Sequence, residues 1–69
     1  LDLQNNQLES LPDPIGNLSG LQELDLWDNK LKSLPDSFGN LSGLQRLDLR
    51  KNPIKKESIP TNLLPITDL

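Results

Sequence analysis

Three aspartates recur at one fixed spacing in the sequence, as Asp2, Asp25 and Asp48, and each lies between two leucines. Carboxylates that line up at the spacing of a sheet repel one another unless positive charge neutralises them. Calcium takes six to eight oxygen ligands, so three carboxylates would leave its coordination shell half empty, and no EF-hand loop is present. We therefore favour a solvated acidic row that meets basic groups of a partner over a metal site.

The residue types most often used in catalysis are missing. The chain contains no cysteine and no histidine, which excludes a disulfide, a thiolate zinc site, a thiol nucleophile and an imidazole base. Two G-N-L-S-G segments lack the Lys-Ser/Thr pair that completes a phosphate-binding loop. Since no nucleophile, base and orienting group occur together, we predict that the chain is not an enzyme and binds no cofactor.

Trp27 is the only tryptophan. Apolar and polar residues alternate from Leu24 to Trp27, which predicts a short strand with Leu24 and Leu26 on one side and Asp25 and Trp27 on the other. Tryptophan and arginine are enriched among the residues that dominate protein interfaces, so an outward Trp27 indicates a binding site. The alternative is that Arg50 covers the indole in an intramolecular cation–π contact, and both interpretations can hold together.

Charge and hydropathy exclude further classes. Ten acidic and seven basic residues give a net charge of −3, which disfavours a nucleic-acid partner. No uninterrupted apolar run exceeds two residues, so we expect neither a transmembrane span nor a signal-peptide core. Because the first residue is Leu1 and not methionine, we interpret the chain as a fragment or a processed piece.

The sequence repeats with a period of 23, and the tripeptide Leu-Asp-Leu begins each repeat. The single domain of residues 1–69 is therefore divided into repeats 1–23, 24–46 and 47–69. The first two repeats are identical at 16 of 23 positions, whereas the third shares only six positions with the second. That divergence is typical of a terminal, cap-like unit, although Ile66 and Leu69 also resemble the start of a fourth repeat.

Residues 21–41, which begin three residues before the second repeat, have the pattern L-x-x-L-x-L-x-x-N-x-L-x-x-L-P-x-x-I/F-x-x-L. Through this repeated pattern, residues 1–54 resemble the 23-residue class of the leucine-rich repeat family. The resemblance implies an α/β solenoid, with a short curved parallel sheet on the concave side and helical or 3₁₀ turns on the convex side. It also implies a ladder of buried asparagines at the bend of each repeat, formed here by Asn6, Asn29 and Asn52.

Local signals agree with this architecture. Gly39 and Gly43 limit the segment after Pro35 to a helical turn or a 3₁₀ piece. In the first repeat we expect Asp13 to cap a turn that begins at Pro14. One unit cannot bury its apolar side chains alone, so the repeats must stack and share faces.

The predicted function is protein binding through the concave face around Trp27. Opposite charges in neighbouring rows, Glu23 with Arg46 and Asp28 with Lys51, are expected to form weak cross-strand pairs. An alternative function is a structural stacking or capping segment of a longer array, with any enzyme domain outside this piece. Uncovered ends also predict end-to-end self-association. The candidate binding residues are Trp27, Arg50, Asp25, Asp28, Asp48, Arg46 and Lys51.

Overall fold

A three-stranded parallel sheet organises the fold in the computed structural model, which describes all 69 residues. The strands β1 (Glu23–Asp25), β2 (Arg46–Asp48) and β3 (Thr67–Asp68) lie side by side in that order. The first repeat adds one isolated parallel bridge, between Asp2 and Asp25. The four Leu-Asp-Leu or Thr-Asp-Leu segments therefore lie next to one another along the molecule.

The strand register between the first repeats equals the sequence period. Leu24 lies opposite Leu47 and Asp25 lies opposite Asp48, in each case 23 residues further on. Backbone hydrogen bonds continue past the strand ends, since the amide of Leu26 donates to the carbonyl of Asp48 at 2.9 Å. Because side chains alternate along a strand, corresponding residues of successive repeats form rows on the same side of the sheet.

Leucines on the inner side of the sheet form the centre of the core. The central repeat is the most completely buried because it has a neighbour on each side, whereas Leu3 and Leu8 of the first repeat are only partly buried. Burial of these repeated apolar positions is what makes the stack stable. The side chains with the least exposure are Phe38, Leu24, Leu26, Leu31, Leu41, Leu47 and Leu49.

Short 3₁₀ helices return the chain between strands, and no α-helix is present. They span Asp13–Asn17, Asp36–Asn40, Lys56–Ser58 and Leu64–Ile66. The prediction of a short parallel sheet with 3₁₀ turns is thus confirmed. None of the helices has the length and apolar character that crossing a membrane requires.

The predicted cap of the first 3₁₀ helix is wrong. Asp13 is the first residue of the helix, and the preceding Pro12 occupies the cap position in an extended conformation. No side chain caps the helix. Proline cannot donate a backbone hydrogen bond and fixes its own φ, so Pro12 sets the direction of entry without supplying a polar cap.

The first two 3₁₀ helices stack closely at Gly16. A Cβ atom at this position would lie 2.4 Å from the carbonyl oxygen of Ser37. The Ser37 hydroxyl donates a hydrogen bond to the carbonyl of Asp13 at 2.7 Å. Glycine at position 16 is therefore required by close approach between neighbouring repeats.

The divergent third repeat leads into a strand. Ile59 and Leu63 are buried in the core, and the last 3₁₀ helix passes directly into β3. Thr67 lies opposite Leu47 and Asp68 lies opposite Asp48, only 20 residues further on. The slip in the sequence therefore shortens the return segment by three residues, and Thr67 takes the inward position that leucine holds in the preceding strands.

Candidate functional site

The outward side of the sheet carries every candidate binding residue, and we call this surface the sheet face. Its outer rows are the edge row of Glu23 and Arg46 and the turn row of Asn5, Asp28 and Lys51. Between them lie the acidic row and the Trp27 row, in which the strands place corresponding residues of each repeat side by side. The acidic row contains Asp2, Asp25, Asp48 and Asp68, and the Trp27 row contains Gln4, Trp27 and Arg50.

The acidic row has a structural role that the sequence analysis missed. Asp2 accepts a hydrogen bond from the amide of Gln4, Asp25 from that of Trp27, and Asp48 from that of Arg50, each at 3.1 Å. Each aspartate thereby satisfies the backbone two residues further on, as in an Asx turn. The sequence signal for this role is the aspartate at the middle of every Leu-Asp-Leu segment, always two residues before the residue whose amide it accepts.

Asp48 is the most constrained member of the acidic row. Its side chain is bonded to the Arg50 guanidinium through Nε at 3.1 Å and through Nη2 at 2.8 Å. The residue is 6% exposed, so the expectation of a fully solvated acidic row is wrong at this position. The hydrogen bond from Arg50 lowers the pKa of Asp48 and raises that of Arg50.

Asp2, at the first-repeat end of the row, is exposed. Its second carboxylate oxygen accepts a hydrogen bond from the Gln4 side chain at 3.0 Å. Together with the bond from the Gln4 amide, this contact lowers the pKa of Asp2 below its ordinary value. Gln4 thus holds Asp2 and Arg50 holds Asp48, whereas Trp27 offers Asp25 only its backbone amide.

Trp27 lies on the sheet face, where it is half-buried. The ammonium group of Lys51 lies 5.2 Å from the centroid of the indole ring. The expectation that Arg50 covers the indole is therefore wrong, because Asp48 holds the Arg50 guanidinium and the cation over the ring comes from the turn row. Trp27 and its neighbours line a shallow groove together with Gln4, Asp25, Asp48 and Arg50.

The turn row has an unusual backbone. Asn5, Asp28 and Lys51 have φ angles of 60°, 59° and 61°, in the left-handed region. Asparagine and aspartate tolerate this conformation better than other residues that carry a side chain, and lysine does so less readily. The same bend thus recurs after each Leu-Asp-Leu segment and sets the direction of the turn-row side chains.

The predicted cross-strand ion pairs are absent. Glu23 and Arg46 lie opposite each other in the register, yet neither forms an ion pair within 4 Å. Asp28 and Lys51 do not form one either, and the single ion pair of the chain joins Arg50 to Asp48. The charges of Glu23, Asp25, Asp28 and Arg46 are therefore uncompensated by direct contact.

The asparagines form a ladder below the sheet face. Asn29 is 5% exposed, and its amide donates to the carbonyls of Leu26 at 2.9 Å and of Leu3 at 3.0 Å. Its oxygen accepts bonds from the amides of Asn6 and Leu8. Each asparagine within the stack thus ties its own bend to the preceding repeat, which is a structural function and not a binding function.

Asn52 makes the equivalent hydrogen bonds in the third repeat. Its amide donates to the carbonyls of Leu26 at 2.8 Å and of Leu49 at 3.1 Å, and its oxygen accepts from the amide of Leu31. The expected burial is wrong for Asn6, which is exposed because it has no preceding repeat in this chain to contact. Its amide donates to the carbonyl of Leu3 at 2.8 Å. Asn29, between two repeats, is the most fully bonded of the three.

The sheet face offers aromatic contact, charge and hydrogen bonding. No group of three acidic side chains is arranged so that it could hold a metal ion. Apolar grooves occur away from the sheet face, at the end formed by the first repeat. What the face can do chemically is therefore to bind another surface through Trp27 and the charges around it.

Comparison with known proteins agrees with this architecture. The sequence model of the leucine-rich repeat family matches residues 1–54. The solved structure of a leucine-rich repeat protein of Leptospira interrogans aligns with the whole chain at 42% identity and a TM-score of 0.88. The chain spans only 19% of that protein's length. No curated protein matches the sequence.

The alignment with the solved structure includes residues 55–69, which diverge from the repeat pattern. The 23-residue register, the bonded asparagines and the family match over residues 1–54 lead to one conclusion. The chain belongs to the leucine-rich repeat family.

Proposed function

We propose that the chain is a protein-binding module that contacts its partner through the sheet face, with Trp27 as the central anchor. Leucine-rich repeat proteins commonly act as scaffolds for protein interaction, and family membership supports this class of function. A scaffold of this kind requires no catalytic group, and we propose that the chain has no enzymatic activity of its own. The partner is a protein and not a nucleic acid, given the net charge of −3.

The observation that carries the proposal is the partly exposed indole in the middle of a charged face. The first repeat places Gln4 at this position and the third places Arg50, so the repeat itself does not require tryptophan there. A half-exposed indole retains apolar area that a partner can cover. Tryptophan is among the residues whose truncation costs most at interfaces.

Differences between the first two repeats also favour a role for this face. Three pairs of corresponding positions that differ between these repeats lie on the sheet face: Gln4 and Trp27, Asn5 and Asp28, and Glu23 and Arg46. The inward leucines, the ladder asparagines Asn6 and Asn29, and the prolines Pro12 and Pro35 are the same in both repeats. The fold is thus kept while the outward side chains vary, as suits a specific binding surface.

The charged residues would have different roles. Arg50 and Asp48 hold each other and form a fixed wall beside the groove. Asp25, Asp28 and Arg46 carry unpaired charges that can meet opposite charges of a partner. The Lys51 ammonium lies over the indole, so a partner that binds Trp27 must displace it or bind the ring alongside it.

A second candidate function is a stacking segment within a longer repeat array. Leu1 and Leu69 at the two ends of the stack are each 55% exposed. These are the surfaces that further repeats would cover in a longer solenoid. Under this hypothesis the end surfaces carry the function and Trp27 makes no contact with another protein.

Replacement of Trp27 distinguishes the two functions. The protein is used as bait in an extract of its source organism, and captured proteins are quantified for the wild type, for Trp27→Ala and for Gln4→Ala. Gln4 occupies the same row one repeat away and is the matched control. We expect Trp27→Ala to lose about 2 kcal/mol or more of affinity for a captured protein, with Gln4→Ala much closer to the wild type.

Stability measurements show whether the loss is specific. Trp27→Ala should change the free energy of unfolding far less than Leu24→Ala or Leu26→Ala, which should cost about 2–5 kcal/mol each. If Trp27→Ala captures the same proteins as the wild type, the binding role of the sheet face is contradicted. The stacking function would then be the better account.

A further inference from the structure

We infer that the partner presents a basic segment, with a lysine or arginine side chain seated against Trp27 and Asp25 where Lys51 now contacts the indole. This inference rests on the function proposed above, because it names the chemistry of the partner at the same face. Three features of the face support it: the cation already on the indole, the unpaired carboxylate beside it, and the sign of the surrounding charge.

The indole of Trp27 already has a cation as its neighbour. The Lys51 ammonium lies 5.2 Å from the ring centroid, within the range of a cation–π contact. Lys51 is exposed and has a left-handed φ of 61°, which lysine adopts at a cost. Because Lys51 is exposed, a partner can displace its ammonium group from the ring. An arginine of a partner would make a better planar contact with the same ring.

Asp25 supplies the second contact for a basic side chain. Its Oδ1 accepts the amide hydrogen of Trp27 at 3.1 Å, and Asp25 and Trp27 line the same groove. Its Oδ2 accepts no hydrogen bond, and the residue forms no ion pair. A guanidinium or ammonium group in the groove can therefore contact the ring and donate to this free oxygen at once.

The charges of the sheet face have the sign that favours a basic partner. Six acidic and three basic residues lie in its rows. Among the basic residues, Arg50 is engaged by Asp48, whereas no acidic residue other than Asp48 has an ion-pair partner. An acidic partner would meet mostly like charges, and a basic segment would meet uncompensated carboxylates. The acidic residues are Glu23, Asp2, Asp25, Asp28, Asp48 and Asp68.

The test uses a dye-labelled hexa-arginine peptide as the probe and fluorescence anisotropy as the readout, with hexaglutamate for comparison. Asp25→Asn is compared with Asp13→Asn, since both raise the net charge by one and Asp13 lies in the first 3₁₀ helix, away from the sheet face. Asparagine at position 25 keeps an oxygen that can accept the Trp27 amide. Circular dichroism melts show that each variant folds.

We expect saturable binding of hexa-arginine that weakens with added salt. Asp25→Asn should raise the dissociation constant about fivefold, as for a partly exposed charge pair, and Asp13→Asn should change it less than twofold. Trp27→Ala should raise it about tenfold or more. Equal effects of Asp25→Asn and Asp13→Asn would show that only net charge matters, and would overturn the inference.

A second pair of variants tests the competing lysine and does not alter Asp25. Lys51→Gln removes the cation from the indole, and Lys32→Gln makes the same change of charge outside the rows of the sheet face. We expect Lys51→Gln to tighten hexa-arginine binding about threefold more than Lys32→Gln does, because the ring becomes free. Equal tightening, or preferential binding of hexaglutamate, would contradict the proposed site.

The outcome separates this inference from the protein-binding function. If capture of a protein depends on Trp27 but binding of hexa-arginine does not depend on Asp25, the protein-binding function stands and the basic partner is contradicted. If Trp27→Ala still captures the protein and still binds hexa-arginine like the wild type, both the protein-binding function and the basic partner are contradicted.

Discussion

At the scale of the residue, the outward aspartates serve both the fold and the surface. Asp2, Asp25 and Asp48 each accept the amide hydrogen two residues further on. The remaining oxygen is bonded to Gln4 in the first repeat and to Arg50 in the third, and it is free in the second. The same turn, repeated in each unit, thus leaves one oxygen of Asp25 without a hydrogen bond.

The acid stability of the chain should depend on Asp48. Its pKa is lowered in the folded chain by the hydrogen bond from Arg50. The ionised carboxylate therefore stabilises the fold above its ordinary pKa of 3.8, and this contribution is lost as the pH falls through the lower folded value. We expect the melting temperature of Asp48→Asn to fall less than that of the wild type when the pH is lowered from about 5 to about 2.

Asp36→Asn is the matched control for this measurement. Asp36 is an exposed residue at the start of a 3₁₀ helix, and it forms no ion pair. Its variant should keep the pH dependence of the wild type. If Asp48→Asn and Asp36→Asn show the same acid transition, the ion pair of Arg50 with Asp48 does not contribute to stability.

Asn29 should be the most sensitive asparagine of the ladder. Asn29→Ala would leave the carbonyls of Leu3 and Leu26 without their amide donor, and should cost about 1–3 kcal/mol of unfolding free energy. Asn52→Ala should cost less, since Asn52 is more exposed. Urea denaturation of both variants measures the difference. Equal and negligible effects would mean that the ladder is not needed for the bend.

At the scale of the element, the stack of 3₁₀ helices depends on close contact and not on caps. Neither Asp13–Asn17 nor Asp36–Asn40 has a side-chain cap. The hydroxyl of Ser37 instead joins the second helix to the carbonyl of Asp13 in the first. Each short helix is therefore stabilised by its neighbour, as expected for units that cannot fold alone.

Gly16→Ala should destabilise the stack. The added methyl group would lie within 2.4 Å of the Ser37 carbonyl oxygen, so the two helices would have to separate. The expected cost is about 1–3 kcal/mol, in the range of overpacked sites. Gly20→Ala is the control, because nothing lies within 4 Å of its new methyl group. Thermal melts that are lowered equally by both variants would contradict close packing at Gly16.

At the scale of the whole molecule, the two ends of the stack differ. An apolar groove at the first-repeat end is lined by Leu3, Leu8, Leu11, Ile15 and Leu18 among others. At the other end, Leu69 is exposed. The formal charge falls from +1 in residues 47–69 to 0 in 24–46 and −4 in 1–23, so the ends also differ in sign of charge.

We expect the separate 69-residue chain to self-associate end to end at high concentration. Apolar end surfaces favour contact, and opposite charge makes the contact sensitive to salt. Light scattering at low and high salt measures the effect, and Leu18→Glu, which places a charge in the groove, should reduce it. A monomer under all conditions would show that the ends do not attract each other.

Much of the fold follows from repetition in the sequence. The 23-residue period predicts the register of Leu24 with Leu47, the inward leucines and the 3₁₀ turns, because equal residues in equal units must stack equally. The return after Ile54 could not be predicted in the same way. Its sequence has no equivalent unit, and the strand begins three residues earlier than the period requires.

The details of the sheet face were less predictable because they depend on competition between side chains. Asp48 ends β2, and Arg50 lies two residues further on and on the same side, so their ion pair could have been expected from this spacing. Once Asp48 holds Arg50, Lys51 is the cation that contacts Trp27. The left-handed bend that places Lys51 there is marked in the sequence only by asparagine and aspartate at the same position of the other repeats.

That bend has a consequence for engineering. A library built on this scaffold could vary the positions of Gln4 and Trp27 without backbone strain, because neither has a left-handed φ. The position of Arg50 has no such strain either, but its replacement removes the ion pair with Asp48. At the positions of Asn5, Asp28 and Lys51, with φ near 60°, asparagine, aspartate and glycine should be preferred. Chemical diversity in such a library therefore belongs in the row of Trp27.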